Sequence, residues 1–272
     1  MLRLRSHVTP VVITFNEELN LRRCLDSLRW AKRVLVVDSA STDGTRAIAE
    51  TYQNADFRVN RFESFGKQWK FALEHGQLDT DFVLALDADM IVPPELSAEL
   101  DDSPVLGGGF DAALVPFEMR LWGVPLHGTL YPPDIRLFRA SAVRIGDRAQ
   151  HHSFAVDGPV YRCKHRLIHD DRKTLDRWIQ NQQKYSQIEA TRIMGSGPAN
   201  LKDRLRAAAV MPPLMAAFAY LRAGGPLAGK AAVRYAYERL VAESLKSMRL
   251  IENDLAIAAR DGHSTPSGVS RD

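Results

Sequence analysis

Short apolar runs alternate with amphipathic stretches through the first part of the chain. Val11-Val12-Ile13-Thr14 is β-branched and has the pattern of a buried strand. After the polar, turn-prone Asn16–Asn20, residues Leu21, Cys24, Leu25 and Leu28 recur at helical spacing. Val34-Leu35-Val36-Val37 is a second apolar run and ends at Asp38. The loop Ser39–Gly44 offers Ser41 or Asp43 as a cap for the helix that follows. Phe57-Arg58-Val59 predicts a weaker strand, Lys67–Glu74 a helix, and Phe82–Leu86 another buried strand running into Asp87-Ala88-Asp89.

Strands alternating with amphipathic helices imply βαβ units, so the expected fold class is α/β with a mostly parallel sheet and helices on both faces. Ligands of such sheets bind beyond the carboxyl ends of the strands. Thr14-Phe15-Asn16-Glu17, Asp38 and the acid pair all fall at such ends, so three segments converge on one edge. Farther along, Ala113–Phe117 and Asp134–Arg139 read as strands, with Trp122-Gly123-Val124-Pro125 as a turn. From Thr174 onward Leu175, Trp178 and Ile179 share a helix face. Gly195-Ser196-Gly197-Pro198 reads as a hinge. The expected division is a catalytic domain over 1–195, a helical extension over 196–260 and a polar, disordered tail over 261–272.

The extension is apolar and basic. Val210–Leu221 is its most apolar window, and Lys202, Arg204, Arg206, Arg222, Lys230, Arg234, Arg239, Lys246 and Arg249 surround it. Only Asp203, Glu238 and Glu243 oppose them between residues 201 and 250. This composition suits an anionic membrane surface. The alternative is a solvated helix with a core stripe of Val233, Tyr237, Leu240, Val241 and Leu245. No stretch reaches the roughly 18–20 apolar residues of a membrane span. The opening Met1–His7 has no apolar run of signal-peptide length, and a strand is expected almost at once after it.

Composition narrows the picture. Hydrophobic content of 45% and charged content of 25% over 272 residues are ordinary for a globular protein, and a net charge of +3 does not point to nucleic acid. Cys24 and Cys163 form no metal-binding spacing, so a reducing, cytoplasmic setting is expected.

The chemistry centres on Asp87-Ala88-Asp89. In a strand, residues i and i+2 face one side, so the two carboxylates could address one ligand. Mg²⁺ or Mn²⁺ combines one or two carboxylates with substrate phosphates. A metal there would neutralise the charge developing on a diphosphate leaving group; the alternative is two solvated acids at a loop start. Asp38 either accepts the N–H of a pyrimidine base or caps the loop through Gly44. No G-x-G-x-x-G follows the first strand and no G-x-x-x-x-G-K-[ST] occurs, which disfavours dinucleotide oxidoreductases and P-loop NTPases.

Val12–Glu18, Val36–Thr45 and Leu86–Asp89 resemble, in order and spacing, the successive signatures of family 2 glycosyltransferases with the Rossmann-like GT-A fold. Phe65–Leu73 resembles the helix between the second and third. Within the family the chain is similar to bacterial lipopolysaccharide-core β-1,4-glucosyltransferase-like enzymes. The resemblance implies that Thr14, Phe15, Asn16 and Glu17 line the nucleotide pocket and that Asp38 meets the base. Lys67 would reach the base or the phosphates, and Asp87, with Ala88, the ribose or the metal's waters. Asp89 would hold the metal. Relatives often place a His-Glu pair after the Arg-Leu-Phe-Arg strand, where this chain has His151-His152 and no carboxylate. Candidates for the general base are therefore His151, His152, Asp134, and Asp170 and Asp171 of His169-Asp170-Asp171-Arg172-Lys173. That last cluster either resembles an acid motif opening a helix near the acceptor or is an ordinary helix start, and His169 could complete the metal shell. The resemblance further implies an inverting transfer of a hexose from a UDP- or dTDP-type sugar to a lipid-linked or envelope glycan. It places the enzyme on the inner membrane face, with an oligomer possible. The competing classes are a sugar-phosphate nucleotidyltransferase, which lacks its glycine-rich basic loop here, and a non-catalytic sugar-nucleotide-binding membrane protein.

Overall fold

A computed structural model describes residues 2–148 and 151–262. The chain forms two compact units, Met1–Lys173 and Thr174–Asp272.

The first unit opens with helix α1 (Leu2–His7), followed by β1 (Val8–Thr14), α2 (Leu21–Ser27), β2 (Val34–Asp38), α3 (Thr45–Ala49) and β3 (Ala55–Val59). Next come α4 (Phe65–His75), β4 (Phe82–Asp87), β5 (Met90–Ile91), α5 (Pro94–Asp102), β6 (Ala112–Val115), β7 (Phe117–Leu121) and β8 (Val124–Pro125). The unit closes with β9 (Asp134–Arg139), β10 (Val143–Arg148), β11 (His151–Val156), β12 (Val160–Arg162) and β13 (Leu167–Asp171). The expected first strand is thus preceded by a helix, tied down by Leu4, whose buried backbone N–H donates to Asp101 Oδ1 at 2.6 Å.

The central sheet runs β12-β6-β9-β4-β1-β2-β3. Strands β1 to β4 are mutually parallel where they pair, and β9 runs antiparallel between β4 and β6. The α/β class and mostly parallel sheet are as expected. Their cause is visible in the two-residue period. Val8 and Val12 of β1, Val34 and Val36 of β2, and Phe82, Leu84 and Leu86 of β4 enter one core with Leu21, Cys24 and Leu25 of α2. The intervening Val11, Ile13, Leu35, Val37, Val83 and Ala85 enter a second core with Trp69 and Ala72 of α4. A sheet covered on both faces reads as continuous apolar runs, which is why these strands were legible.

A smaller sheet, β5-β13-β7-β8, sits at the end of the acid turn, and β10-β11 forms a separate hairpin. Strand β13 pairs antiparallel with β5 and parallel with β7. The β7–β8 turn is made by Trp122 and Gly123, with φ of 53° and 84°.

The second unit is helical: α6 (Leu175–Ser196), α7 (Leu201–Ala207), α8 (Met211–Arg222), a 3-10 turn (Gly225–Ala228) and α9 (Gly229–Gly262). Thr174 caps α6, its side chain accepting from the Arg177 N–H. Helix α6, expected to close the first domain, opens the second unit because Ala190 and Ile193 pack with Leu250 of α9. Asp261 and Gly262 continue α9, and the rest of the predicted tail lies outside the described residues. No helix among the described residues is long and apolar enough to cross a membrane.

Candidate active site

The loops after β1 and β2 are built as one object. Asn16 sits at φ 53°, a left-handed conformation that asparagine tolerates better than most residues. Its backbone N–H donates to Ser41 Oγ at 2.6 Å, and its side-chain oxygen accepts from the Thr42 N–H at 2.7 Å. The Glu17 N–H donates to Thr45 Oγ1 at 2.6 Å, and Glu18 Oε2 accepts from the Gly44 N–H at 2.9 Å. Asp38 is buried, and both its oxygens accept from Ser41, one from the N–H and one from the hydroxyl. Asp38 thus makes the turn-capping bonds within the loop through Gly44. Asp43 accepts from the N–H and hydroxyl of Thr45, although Gly44 holds the cap position of α3. Thr14 is buried with Oγ1 lacking a partner, and Phe15 is exposed at the rim.

The acid pair differs from expectation. Strand β4 ends at Asp87, and Ala88 and Asp89 form a turn before β5. The two carboxylates consequently take different partners. Asp87 lies 3.5 Å from Arg136 Nη1, and Arg136 Nη2 lies 3.2 Å from Asp134. Asp89 is buried, with Oδ2 at 3.3 Å from both His169 Nε2 and Lys173 Nζ.

Lys173 is the hub of this cluster. Its ammonium also lies 3.0 Å from Glu17 Oε1 and 3.0 Å from Asp171 Oδ1. Burial alone would push the Lys173 pKa down, but Asp89, Glu17 and Asp171 hold it well above the ordinary lysine value. Burial pushes Asp89 up, and His169 and Lys173 overcome this and hold it below the usual carboxylate range. Burial pushes His169 down, and Asp89 overcomes this and leaves it above the ordinary histidine value. Glu17 goes the other way: burial dominates, aided by Asp89, and Lys173 only partly offsets it, so its carboxyl is raised.

His169-Asp170-Asp171 neither opens nor caps a helix; it ends strand β13. Alternation then separates its acids. His169 and Asp171 join the Lys173 cluster. Asp170 is buried and held by Arg23 at 2.5 Å and Arg172 at 3.0 Å, and it accepts from the Gly123 N–H at 2.9 Å. Asp170 is thus fully committed to anchoring the β7–β8 turn, which removes it as an available base. His151 and His152 open strand β11, opposite Arg148 and Asp147; the expectation about their side chains lies outside the described residues. Lys67, in the first turn of α4, is exposed and pairs with Glu63.

The residues present suit a divalent cation with two protein ligands. Asp87, Asp89 and His169 do not close into a set, and among the described residues no three His, Cys, Asp or Glu converge on a metal position. Asp89 and His169 do adjoin, and Asp89 Oδ1 is buried with no hydrogen-bond partner. An unpaired carboxylate oxygen beside an imidazole fits an ion that draws its remaining ligands from phosphate and water. Sequence reasoning missed Lys173, Arg136 and Arg23. Lys173 closes the His169–Lys173 cluster without having been given a role, and it stands two past Asp171 as Arg136 stands two past Asp134, so for these two the signal is a cation spaced i+2 from a candidate acid; Arg23 carries no such signal.

Comparison with known proteins bears on the same segments. The glycosyl transferase family 2 model matches residues 9–101. The chain is 28% identical over 231 residues to the lipopolysaccharide core biosynthesis glycosyltransferase LpsC of Rhizobium meliloti (strain 1021), covering 80% of this chain and 82% of that protein. Among solved structures it is similar to S. aureus TarS 1-349 in complex with UDP-GlcNAc, at 17% identity, 92% coverage of both chains and a TM-score of 0.46. It is also similar to glucosyl-3-phosphoglycerate synthase from Mycobacterium tuberculosis in complex with Mn²⁺, UDP and glucosyl-3-phosphoglycerate, at 14% identity, 72% and 82% coverage and a TM-score of 0.43. The segment matched by the family 2 glycosyl transferase model contains both interlocked loops and the acid turn.

Proposed function

We propose that the chain transfers a hexose, with inversion, from a UDP- or dTDP-type sugar to a lipid-linked or cell-envelope glycan at the cytoplasmic membrane face. The observation that carries this reading is the convergence of Glu17, Asp89, His169 and Lys173 at the carboxyl edge of the parallel sheet, where such folds bind ligands. The envelope acceptor follows the name of the Rhizobium relative.

The interlocked loops form the nucleotide platform, with Phe15 exposed at its rim. Asp89 and His169 would hold Mg²⁺ or Mn²⁺, which supplies charge neutralisation to the departing diphosphate. Lys173 keeps Glu17, Asp89 and Asp171 ordered around a common cation. Arg136 retains Nε and Nη1 without hydrogen-bond partners, so it can donate to a phosphate or ribose oxygen near Asp87. For the base we favour Asp134. It is only partly buried, at the start of β9, and Arg136 ties it to the strand end that carries Asp87. Asp171 is the second choice, because Lys173 already engages it.

The test is calorimetric titration of UDP, dTDP and GDP, each with Mn²⁺ and with EDTA, on the full chain and on Asp89→Ala. Metal-dependent binding of UDP or dTDP that disappears in Asp89→Ala is expected. Equal binding in the variant would remove Asp89 from the donor site, and no binding of any diphosphate would overturn the reading.

A further inference from the structure

The second unit turns its acids inward. Between residues 201 and 250 the carboxylates are Asp203, Glu238 and Glu243, and all are buried. Asp203 is held by Arg192 at 2.8 Å and Arg206 at 3.2 Å. Glu243 is held by Arg206 at 2.6 Å and Lys246 at 3.1 Å, and Glu238 by Arg234 at 3.0 Å. This stretch therefore exposes no carboxylate, while Lys202, Arg204, Arg222 and Lys230 are exposed. Arg206, counted among the surface cations on sequence grounds, belongs to the interior.

Helix α8 distributes its side chains in the reverse of the usual order. Ala219, and Ala223 just past its end, are buried, and α8 packs against α9. Met211 at its start is buried too, but three large apolar side chains point outward: Leu214, Phe218 and Leu221 are 51%, 56% and 71% exposed. Positions 214, 218 and 221 share one helix face. The 3-10 turn adds Leu227 at 86% exposure, flanked in sequence by Arg222 and Lys230. Several large apolar side chains exposed along one helix face and the turn after it mark an interaction surface rather than ordinary surface scatter.

We propose that α8 and the turn after it dock on an anionic lipid surface. Leu214, Phe218, Leu221 and Leu227 enter the headgroup–acyl boundary, and Arg222 and Lys230 meet lipid phosphates. Charge decides the occupant. A second copy of the chain meeting this face about a two-fold axis would set one basic rim against another, with no exposed carboxylate in the stretch to relieve it. An anionic bilayer supplies the opposite charge. No described helix can span a bilayer, so the contact is superficial. The proposal is independent of the donor-site reading, since its readout involves no catalysis.

The experiment is flotation of the full chain with phosphatidylcholine vesicles, with and without phosphatidylglycerol. Three proteins are compared: wild type, Phe218→Ser/Leu221→Ser and Arg222→Gln/Lys230→Gln. Wild type is expected to float with the anionic vesicles. Each double variant should bind them about 10- to 30-fold more weakly, with unchanged circular dichroism and unchanged UDP binding. Three results would overturn the proposal: no flotation of wild type, equal binding to both vesicle types, or variants that bind like wild type. A concentration-dependent dimer that Phe218→Ser/Leu221→Ser abolishes, without flotation, would assign the face to a second copy and also overturn it.

Discussion

Lys173 illustrates how a single cation can organise a site made of acids. Its three carboxylate partners come from the loop after β1, the turn after β4 and the end of β13. Replacing it by methionine leaves buried negative charges facing one another. Lys173→Met is expected to lower the unfolding free energy by about 3–5 kcal/mol, the usual cost of breaking a buried ion pair from one side, measured by urea denaturation. A loss below about 1 kcal/mol would show that water already screens the cluster. The residue-level chemistry was only half legible. Asp87-Ala88-Asp89 stood out because an apolar strand ran into it. The role of Lys173 did not, because its partner Asp89 lies 84 positions away and no local period links the two. The same limit explains why strand geometry was assigned to Asp89. Sequence shows where a run of apolar residues stops, and here the backbone turns one residue earlier than the second acid.

At the level of elements, legibility followed burial. Strands β1, β2 and β4 are apolar on both faces and announce themselves. Strand β13 ends in His-Asp-Asp, residues that favour turns and helix starts, so its period of two was masked by polarity. Two-residue strands such as β5 and β8 carry too little sequence to be read. Helix α7 is held to α9 by polar means, through Arg206 and Glu243. Burial pushes the Glu243 carboxyl up, but Arg206 and Lys246 bring it down to about 2, below the ordinary 4.5. A depressed carboxylate adds stability that is present above its unfolded pKa and lost as pH falls through the folded one. The thermal midpoint should therefore drop as pH falls from 4.5 to about 2, and Glu243→Gln should flatten that slope while lowering the midpoint at neutral pH. Scanning calorimetry across this range checks both. An unchanged slope would mean that other acids dominate the transition.

Across the whole molecule, the two units are unlike in what holds them together. The first rests on two apolar cores lining a central sheet. The second combines apolar packing, such as Ala190, Ile193 and Leu250, with buried ion pairs. Hydrogen exchange should consequently be slowest in Val8–Thr14 and Val34–Asp38, whose residues are all buried, and faster throughout α7 and α8. Mass-spectrometric exchange showing α8 as well protected as β2 would contradict this ordering. The expected boundary near Gly195 missed the one before Thr174 for a comparable reason. Glycine and proline mark a bend in the chain, whereas the unit boundary is set by what α6 packs on. Those partners include Arg249, whose guanidinium reaches Ser186 across 63 residues of sequence.

The lacing of the loops after β1 and β2 has a bearing on engineering. Asn16 donates to Ser41 and accepts from Thr42, and Glu18 accepts from Gly44, so each loop is held by groups of the other. The segments over 15–20 and 39–45 therefore behave as one heritable part. Grafting either alone from another chain would import half of a lock, whereas moving both together would carry the conformation intact.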